Sequence, residues 1–163
     1  MKRRYIAALA VVVLVVALGS AAATADRTTF VVSDAETGET YLETPVDNGT
    51  VVALEYTHSV EKTRVYEAYT IRGDRLVMTH MEFESFGWGL PSRANVTRKN
   101  GTFIYDPPGS YERLTVAPGR IAGHRLHVGD ETYDLVALSD GRSVTLSIRH
   151  QSALETLRHG TDR

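Results

Sequence analysis

The sequence predicts an all-β protein, either an antiparallel β-sandwich or a partly open barrel, with a signal or anchor helix at its N-terminus. Short runs of β-branched and aromatic residues recur along the chain, separated by Gly, Pro, Asn and Asp, which is the pattern of a many-stranded antiparallel fold. The one long apolar run lies at the N-terminus, where it is typical of export. The chain has no cysteine, so a hydrophobic core must stabilise it without disulfides or thiolate metal sites.

The N-terminal segment is organised like a secretory signal peptide. Basic residues 2–4 precede the apolar run of residues 6–18, and the Ala-Thr-Ala of residues 23–25 fits a cleavage site. About 20 uncharged residues of helix would also rise roughly 30 Å, enough for an uncleaved anchor. We therefore expect residues 1–25 to be a signal peptide or a signal anchor, and residues 26–163 to be a single extracytoplasmic β domain.

The charge balance bears on localisation and partners. The leader contains three of the 18 basic residues and none of the 20 acidic ones, so the exported part has a net charge of −5. This balance argues against nucleic acid or an anionic membrane surface as partner. We expect a protein that is secreted or anchored to the outer face of the cytoplasmic membrane, and that contacts the membrane only through an uncleaved leader.

The first half of the exported chain is predicted to contain two hairpins and one further strand. Residues 28–33 are a β-branched and aromatic run, and residues 39–43 return after a turn rich in Asp and Gly. Residues 50–58 follow an Asn-Gly turn and place apolar side chains on one face by the two-residue period. Residues 63–71 and 75–84 flank an Arg-Gly-Asp turn and are expected to pair as the second hairpin.

The second half is predicted to contain shorter strands. Residues 102–105 end at Asp-Pro-Pro-Gly, and residues 113–116 end shortly before Pro-Gly. Residues 124–128 and 132–138 are expected to form a third hairpin around Gly-Asp, and residues 143–149 follow an Asp-Gly turn.

Ionisable side chains concentrate in the three central strands. Glu67 alternates with apolar residues, so a buried Glu67 needs a hydrogen-bonding partner. A hairpin would make a contact between Glu67 and His58 geometrically possible. By the two-residue period, His80 shares a face with two carboxylates of its own strand. The residues that could converge are His58, Glu61, Glu67, His80, Glu82 and Glu84.

Three interpretations of this group are open. Imidazole and carboxylate ligands could form a metal site, a His–carboxylate pair could act in acid–base catalysis, or the charges could lie on a solvated face. The sequence has no HExxH or HxH spacing. We therefore assign no metal ligand, no cofactor and no catalytic residue from the pattern.

An aromatic and glycine-rich loop follows the second hairpin. In Phe86-Gly87-Trp88-Gly89-Leu90-Pro91 the glycines permit unusual backbone angles, and the proline fixes the exit of the loop. Trp88 would anchor a ligand or partner if it is exposed, and would fill the core beneath the loop if it is buried.

Three sequons of the form N-x-[ST] lie in the exported part and make glycosylation an expectation. The alternative for two of them is that Asn-Gly simply forms a turn. The candidate acceptors are Asn48, Asn95 and Asn100.

Two of these segments, HSVEKTRVYEAY and SFGWGLP, together resemble the domain of unknown function 1850 family. That family shows His-Ser-Val/Ile-Glu-x-Thr-x-Val-x-Glu followed by Ser-Phe-Gly-Ala-Gly-Leu-Pro, and Trp88 replaces the small residue usual at its position. The matching residues are His58, Ser59, Val60, Glu61, Thr63, Val65, Glu67, Ser85, Phe86, Gly87, Gly89, Leu90 and Pro91.

The resemblance implies a small exported or membrane-anchored protein, of a kind often encoded beside tripartite (TRAP) transporters of the TAXI type. We therefore expect a non-enzymatic extracytoplasmic accessory protein that binds a transporter subunit, a solute receptor or a small solute. The alternatives are a metal- or carboxylate-dependent extracytoplasmic enzyme and a cell-surface β domain without a small ligand. The candidate functional cluster is His58, Ser59, Glu61, Thr63, Glu67, Ser85, Phe86, Gly87, Trp88, Gly89 and Pro91.

Overall fold

Two antiparallel sheets form the described part of the protein, residues 27–85 and 96–151 of the computed structural model. The elements in this part are β1 (Arg27–Asp34), β2 (Thr40–Pro45), β3 (Val51–Thr57), β4 (Arg64–Arg72), β5 (Arg75–Phe83), β6 (Thr97–Lys99), β7 (Thr102–Tyr105), β8 (Ser110–Tyr111), β9 (Arg113–Val116), β10 (Arg125–Val128), β11 (Glu131–Asp134), α1 (Leu135–Ser139) and β12 (Val144–Gln151).

The order of the strands gives a small sheet and a large one. The small sheet has the order β2-β1-β12-β9, and the large sheet has the order β11-β10-β3-β4-β5-β7-β6, with β8 paired to β5. In the large sheet β3, β4 and β5 are joined by short turns, so consecutive strands are neighbours. The predicted all-β class is confirmed as a two-sheet sandwich, and neither sheet closes into a barrel within the described residues.

A hydrophobic core fills the space between the sheets. Phe30 and Leu146 from the small sheet pack with Leu54, Ile71 and Leu126 from the large sheet, and all five are buried. Burying a side chain of this size contributes about 1.5–3 kcal/mol before the entropy cost of ordering it. The core therefore stabilises this cysteine-free fold, as the composition requires.

A second apolar cluster lies near the first residues of β4 and the last residues of β5. Val65, Met81 and Phe83 are buried there, and the ring of Phe103 stacks on Phe83 at a centroid distance of 5.4 Å. Val65 pairs with Phe83 across the two strands. This cluster thus stabilises the end of the large sheet where the turn joins β3 to β4.

The prediction of a strand over residues 132–138 is wrong beyond Asp134. The Asp134 carboxylate accepts hydrogen bonds from the backbone N–H groups of Val136 and Ala137, at 2.9 and 3.0 Å, and so caps a helical turn. Leu135 is buried beneath that turn, and Asp140 ends it in the left-handed conformation (φ 52°). The capping aspartate prevails over the β-branched and aromatic residues that suggested a strand. The short strands β6 and β8 were also not predicted.

Thr29–Arg149 form one compact unit, and the described residues on either side of it, which include Thr28 and His150, belong to a second. In the second unit Thr28 Oγ1 lies 3.2 Å from His150 Nδ1. No helix within residues 27–85 and 96–151 has the length and apolarity needed to cross a membrane. The predicted leader of residues 1–25 lies outside the described residues, so it stays a prediction, as does the single domain of residues 26–163.

Candidate functional site

The motif turn, residues 58–63, joins β3 to β4 and is held by its own hydrogen bonds. The His58 N–H donates to the Thr63 carbonyl (2.8 Å), and the Lys62 N–H donates to the His58 carbonyl (2.9 Å). The Glu61 N–H donates to Nδ1 of the His58 ring (3.2 Å). Lys62 adopts a left-handed conformation, with φ 57°. The ring of His58 therefore braces the turn from inside.

The motif turn is also tied to the segment that leads into the aromatic loop. Thr63 Oγ1 lies 3.1 Å from Ser85 Oγ, a contact between residues of the two sequence motifs. Ser59 and Glu61 are exposed, and Val60 is 71% exposed. The turn thus divides into residues that hold it and residues that it presents to solvent.

Glu67 lies on the core-facing side of β4, and two tyrosines satisfy it. The Tyr56 hydroxyl donates to Oε1 and the Tyr69 hydroxyl donates to Oε2, each at 3.0 Å. Burial raises the pKa of both tyrosines, and the charge of Glu67 raises it further, so both hydroxyls keep their protons. Leu54 lies opposite Glu67 in the ladder, whereas His58 lies opposite Thr63. The register therefore does not bring His58 to Glu67, and the partners of this carboxylate are tyrosines.

The outer face of the large sheet carries a cross-strand network centred on Arg64. Its Nε donates to Glu55 and its NH1 donates to Glu82, each at 3.0 Å. Burial lowers the pKa of Arg64, but the hydrogen bonds to these carboxylates outweigh it and raise the pKa above its ordinary value. The Arg64 guanidinium also lies 5.0 Å from the centre of the Tyr66 ring. Arg64 is thus a permanent cation fixed between two anions.

His80 extends this network towards β7. Its Nε2 lies 3.0 Å from Glu82, and its Nδ1 lies 3.5 Å from Asp106. The hydrogen bond with His80 lowers the pKa of Glu82; burial opposes this effect and Arg64 reinforces it. The period-two pattern found His80 and Glu82. Glu55, Arg64 and Asp106 were missed, because their contacts depend on the register between strands.

The six ionisable residues that could converge by the sequence pattern do so only in part. His80 and Glu82 are in contact, and the backbone of Glu61 contacts His58. Glu67 faces the core side instead. In the part of the chain that the structure describes, no group of three or more His, Cys, Asp or Glu side chains is arranged to hold a metal ion.

Several candidate residues lie outside the described residues: Phe86, Gly87, Trp88, Gly89, Pro91 and Asn95. For the other two sequons the turn interpretation is confirmed. Asn100 and Gly101 have φ angles of 51° and 91° between β6 and β7. Asn48 and Gly49 form the turn before β3, where Gly49 has φ 95°, and the side-chain Oδ1 of Asn48 accepts the Gly73 N–H at 2.9 Å. Glycosylation of any sequon stays a prediction.

A groove of about 330 Å³, here called the Arg125 groove, lies beside the last residues of β3. The Thr57 N–H donates to the Ala122 carbonyl (2.8 Å), which holds the segment before β10 against β3. The Tyr56 ring stacks on His124 at 4.7 Å, and burial lowers the pKa of His124. The lining residues are Glu55, Tyr56, Thr57, Arg64, Ile121, Ala122, Gly123 and Arg125.

Fold and site together define a two-sheet β domain with a braced, solvent-presenting turn. The family model described as Domain of unknown function (DUF1850) matches residues 52–135, just over half of the 163 residues. The chain belongs to this family. The matched residues run from β3 to the first residue of α1 and include the motif turn, Glu67 and Arg125. No curated protein and no solved structure matches the chain.

Proposed function

We propose that this protein is a non-enzymatic extracytoplasmic accessory module that docks onto a solute transport system of the TRAP type with a TAXI-type receptor. One observation carries the docking role: a turn with three internal hydrogen bonds presents Val60, 71% exposed, to solvent. The leader-like N-terminus and the family membership support the proposed location and partner.

A braced turn is suited to binding because its conformation is set before the partner arrives. Ordering a loose loop at an interface lowers affinity, and a preformed loop avoids that cost. An apolar side chain that a preformed loop exposes can be buried by a partner without the cost of ordering that loop. Here the ring of His58 braces the turn internally, and the hydroxyl of Thr63 ties the turn to Ser85.

A second exposed apolar residue lies at the same end of the large sheet. Ile121 is 79% exposed and precedes β10, whose first residue, Arg125, pairs with Glu55 near the last residues of β3. The motif turn begins directly after β3. Val60 and Ile121 therefore lie on two loops at one end of the sheet, where a single partner surface can contact both.

The test is co-purification and uptake with the TRAP-type membrane subunits and solute receptor of the same genome. We expect Val60→Ser and Ile121→Ser each to reduce both the amount of complex and the rate of uptake about fivefold, which corresponds to a loss of about 1 kcal/mol of apolar burial. Val51→Ser is the matched control. Val51 is 47% exposed at the opposite end of β3, and this change should leave both measurements unchanged. Equal effects of the three changes, or uptake that survives gene deletion, would contradict the proposal.

The alternative function, a metal- or carboxylate-dependent enzyme, is favoured by one observation. His80 lies 3.0 Å from Glu82 and 3.5 Å from Asp106, and an imidazole between two carboxylates is a possible acid–base arrangement. The measurement is metal content of the purified full chain and calorimetric titration with Zn²⁺. Binding that His80→Ala abolishes would favour this alternative over docking, and no heat of binding would count against its metal-dependent form.

A further inference from the structure

The wall of the Arg125 groove is fixed by hydrogen bonds on both sides of Ile121. The Gly123 N–H donates to the Gly119 carbonyl (2.9 Å), and the Leu135 N–H donates to the His124 carbonyl (3.0 Å). The Gly119 N–H donates to His124 Nδ1 (3.3 Å). The segment that carries Ile121 is thus tied to β3 and to α1, and the groove is formed in the unbound protein.

The groove exposes one of its two arginines, Arg125, more than the other. Its lining contains two arginines and one glutamate, in a chain with a net charge of −2. Arg64 donates to Glu55 and Glu82. Arg125 reaches Glu55 only at 3.8 Å, and its side chain is 64% exposed. Glu82 lies across β4 from the groove and is shared with His80. Arg125 is therefore the cation that the groove offers to a ligand.

Size and composition narrow the kind of ligand. A volume of about 330 Å³ is near the lower limit of small-molecule sites, which is roughly 300 Å³, and suits one or two side chains of a docked segment. Ile121 gives the rim an apolar surface beside the Arg125 cation. Glu55 lies in the same groove and repels anions, so a singly charged carboxylate fits better than a dianionic phosphate.

We infer that the Arg125 groove binds an acidic segment of a partner protein, in which a Glu or Asp side chain pairs with Arg125 and a neighbouring apolar side chain packs on Ile121. This inference rests on the proposed docking role and specifies the chemistry of the docked surface. Charge complementarity with Arg125 selects the acidic residue, and the exposed face of Ile121 selects its apolar neighbour.

The probe is the peptide Gly-Leu-Glu-Leu-Gly-amide with fluorescein coupled to its N-terminal amine, paired with a twin that has Gln in place of Glu. Binding to the full chain is measured by fluorescence anisotropy. We expect a dissociation constant of about 1 mM or lower for the Glu peptide, binding about fivefold weaker for the Gln twin, and an affinity that falls with added salt.

Variants of the protein test the two contacts separately. Arg125→Gln should remove the preference for Glu over Gln, and Ile121→Ser should weaken both peptides equally. Arg72→Gln is the control, because Arg72 is an exposed arginine at the other end of β4 from Arg64. Equal binding of the two peptides, no binding of either, or an Arg125→Gln variant that still prefers Glu would overturn the inference.

The outcomes distinguish this inference from the proposed function. If Arg125→Gln leaves peptide binding unchanged while Val60→Ser still lowers co-purification, docking stands and the groove is not its acidic-segment site. If the Glu peptide binds through Arg125 but deletion of the gene leaves uptake unchanged, the groove stands and the transporter role fails.

Discussion

The two tyrosines that donate hydrogen bonds to Glu67 allow a direct test of how the Glu67 carboxylate stabilises the large sheet. Tyr69 is 3% exposed, and its hydroxyl donates to Oε2 of Glu67 at 3.0 Å. Tyr69→Phe removes that donor and leaves the partly buried carboxylate with Tyr56. A hydrogen bond to a charged group contributes about 1.5–3 kcal/mol to stability. We therefore expect Tyr69→Phe to lower the free energy of unfolding by about 2 kcal/mol. For a domain of this size the loss lowers Tm by roughly 6–10 °C.

The assay is urea and thermal unfolding followed by far-ultraviolet circular dichroism. Tyr133→Phe is the matched control, because Tyr133 also packs against the core but its hydroxyl has no hydrogen bond among the described residues. The same Tyr69→Phe change made in a Glu67→Gln protein should cost clearly less, since the charge has been removed. The reasoning is refuted if Tyr69→Phe destabilises no more than Tyr133→Phe, or if the cost is the same with Gln at position 67.

Three further predictions concern stability. Asp134→Ala should lower the free energy of unfolding by about 1 kcal/mol in urea titration, because it removes the cap of α1. Backbone N–H groups, the Tyr41 hydroxyl and Arg142 hold the pKa of Asp34 well below its usual range. The contribution of Asp34 to the free energy of unfolding should therefore be complete above the ordinary pKa of about 4 and be lost as pH falls towards the folded pKa. Asp34→Asn should make the free energy of unfolding depend less on pH in this acid range. Burial lowers the pKa of His124, so the unfolded chain takes up a proton at a higher pH than the folded protein. The free energy of unfolding should therefore fall as pH drops below about 6.5, and His124→Gln should reduce this dependence on pH.

Each of these predictions has a result that contradicts it. An Asp134→Ala protein as stable as the wild type would mean that α1 does not depend on its cap. For Asp34, the free energy of unfolding of the parent should fall more steeply with decreasing pH below about 4 than that of the Asn variant. Equal slopes in the two proteins would contradict the prediction. For His124, equal slopes in the two proteins between pH of about 7 and 5 would show that the ring is not kept neutral by burial.

The sequence pattern identified most strands but could not give their phase or register. In β5, Leu76 is buried at an even position, whereas Met81 and Phe83 are buried at odd ones. The bulge between Ala68 and Tyr69 in the β4–β5 ladder causes this change of face. A two-residue period cannot reveal where one extra residue is inserted. The pairing of His80 with Glu82 was predicted because both follow the bulge.

The sequence pattern also could not predict contacts across strands, because these depend on the register between strands. Whether Arg64 meets Glu55 depends on which residues of β3 and β4 lie opposite one another, and a shift of one residue would reverse every side chain. The contact between Glu67 and His58 that the sequence left possible does not form, since the structure places Leu54 opposite Glu67. By contrast, the sequence does contain a signal for the helix α1, although this segment was predicted to be a strand. An Asp before an apolar run is a capping signal, and the β-branched and aromatic content of residues 132–138 obscured it.

The energetics of the motif turn explain why it is better understood as a binding element than as a simple connection. Burying a valine side chain contributes about 1.5 kcal/mol or more, and most of that is forgone at Val60, which is 71% exposed. A polar residue at the tip would cost the free protein nothing, because Ser59 and Glu61 beside it are already exposed. The hydrogen bonds through His58 and Thr63 fix the backbone on either side of the valine. A partner that covers Val60 would recover the forgone burial without reorganising the turn, so affinity should track the apolar area of this one side chain.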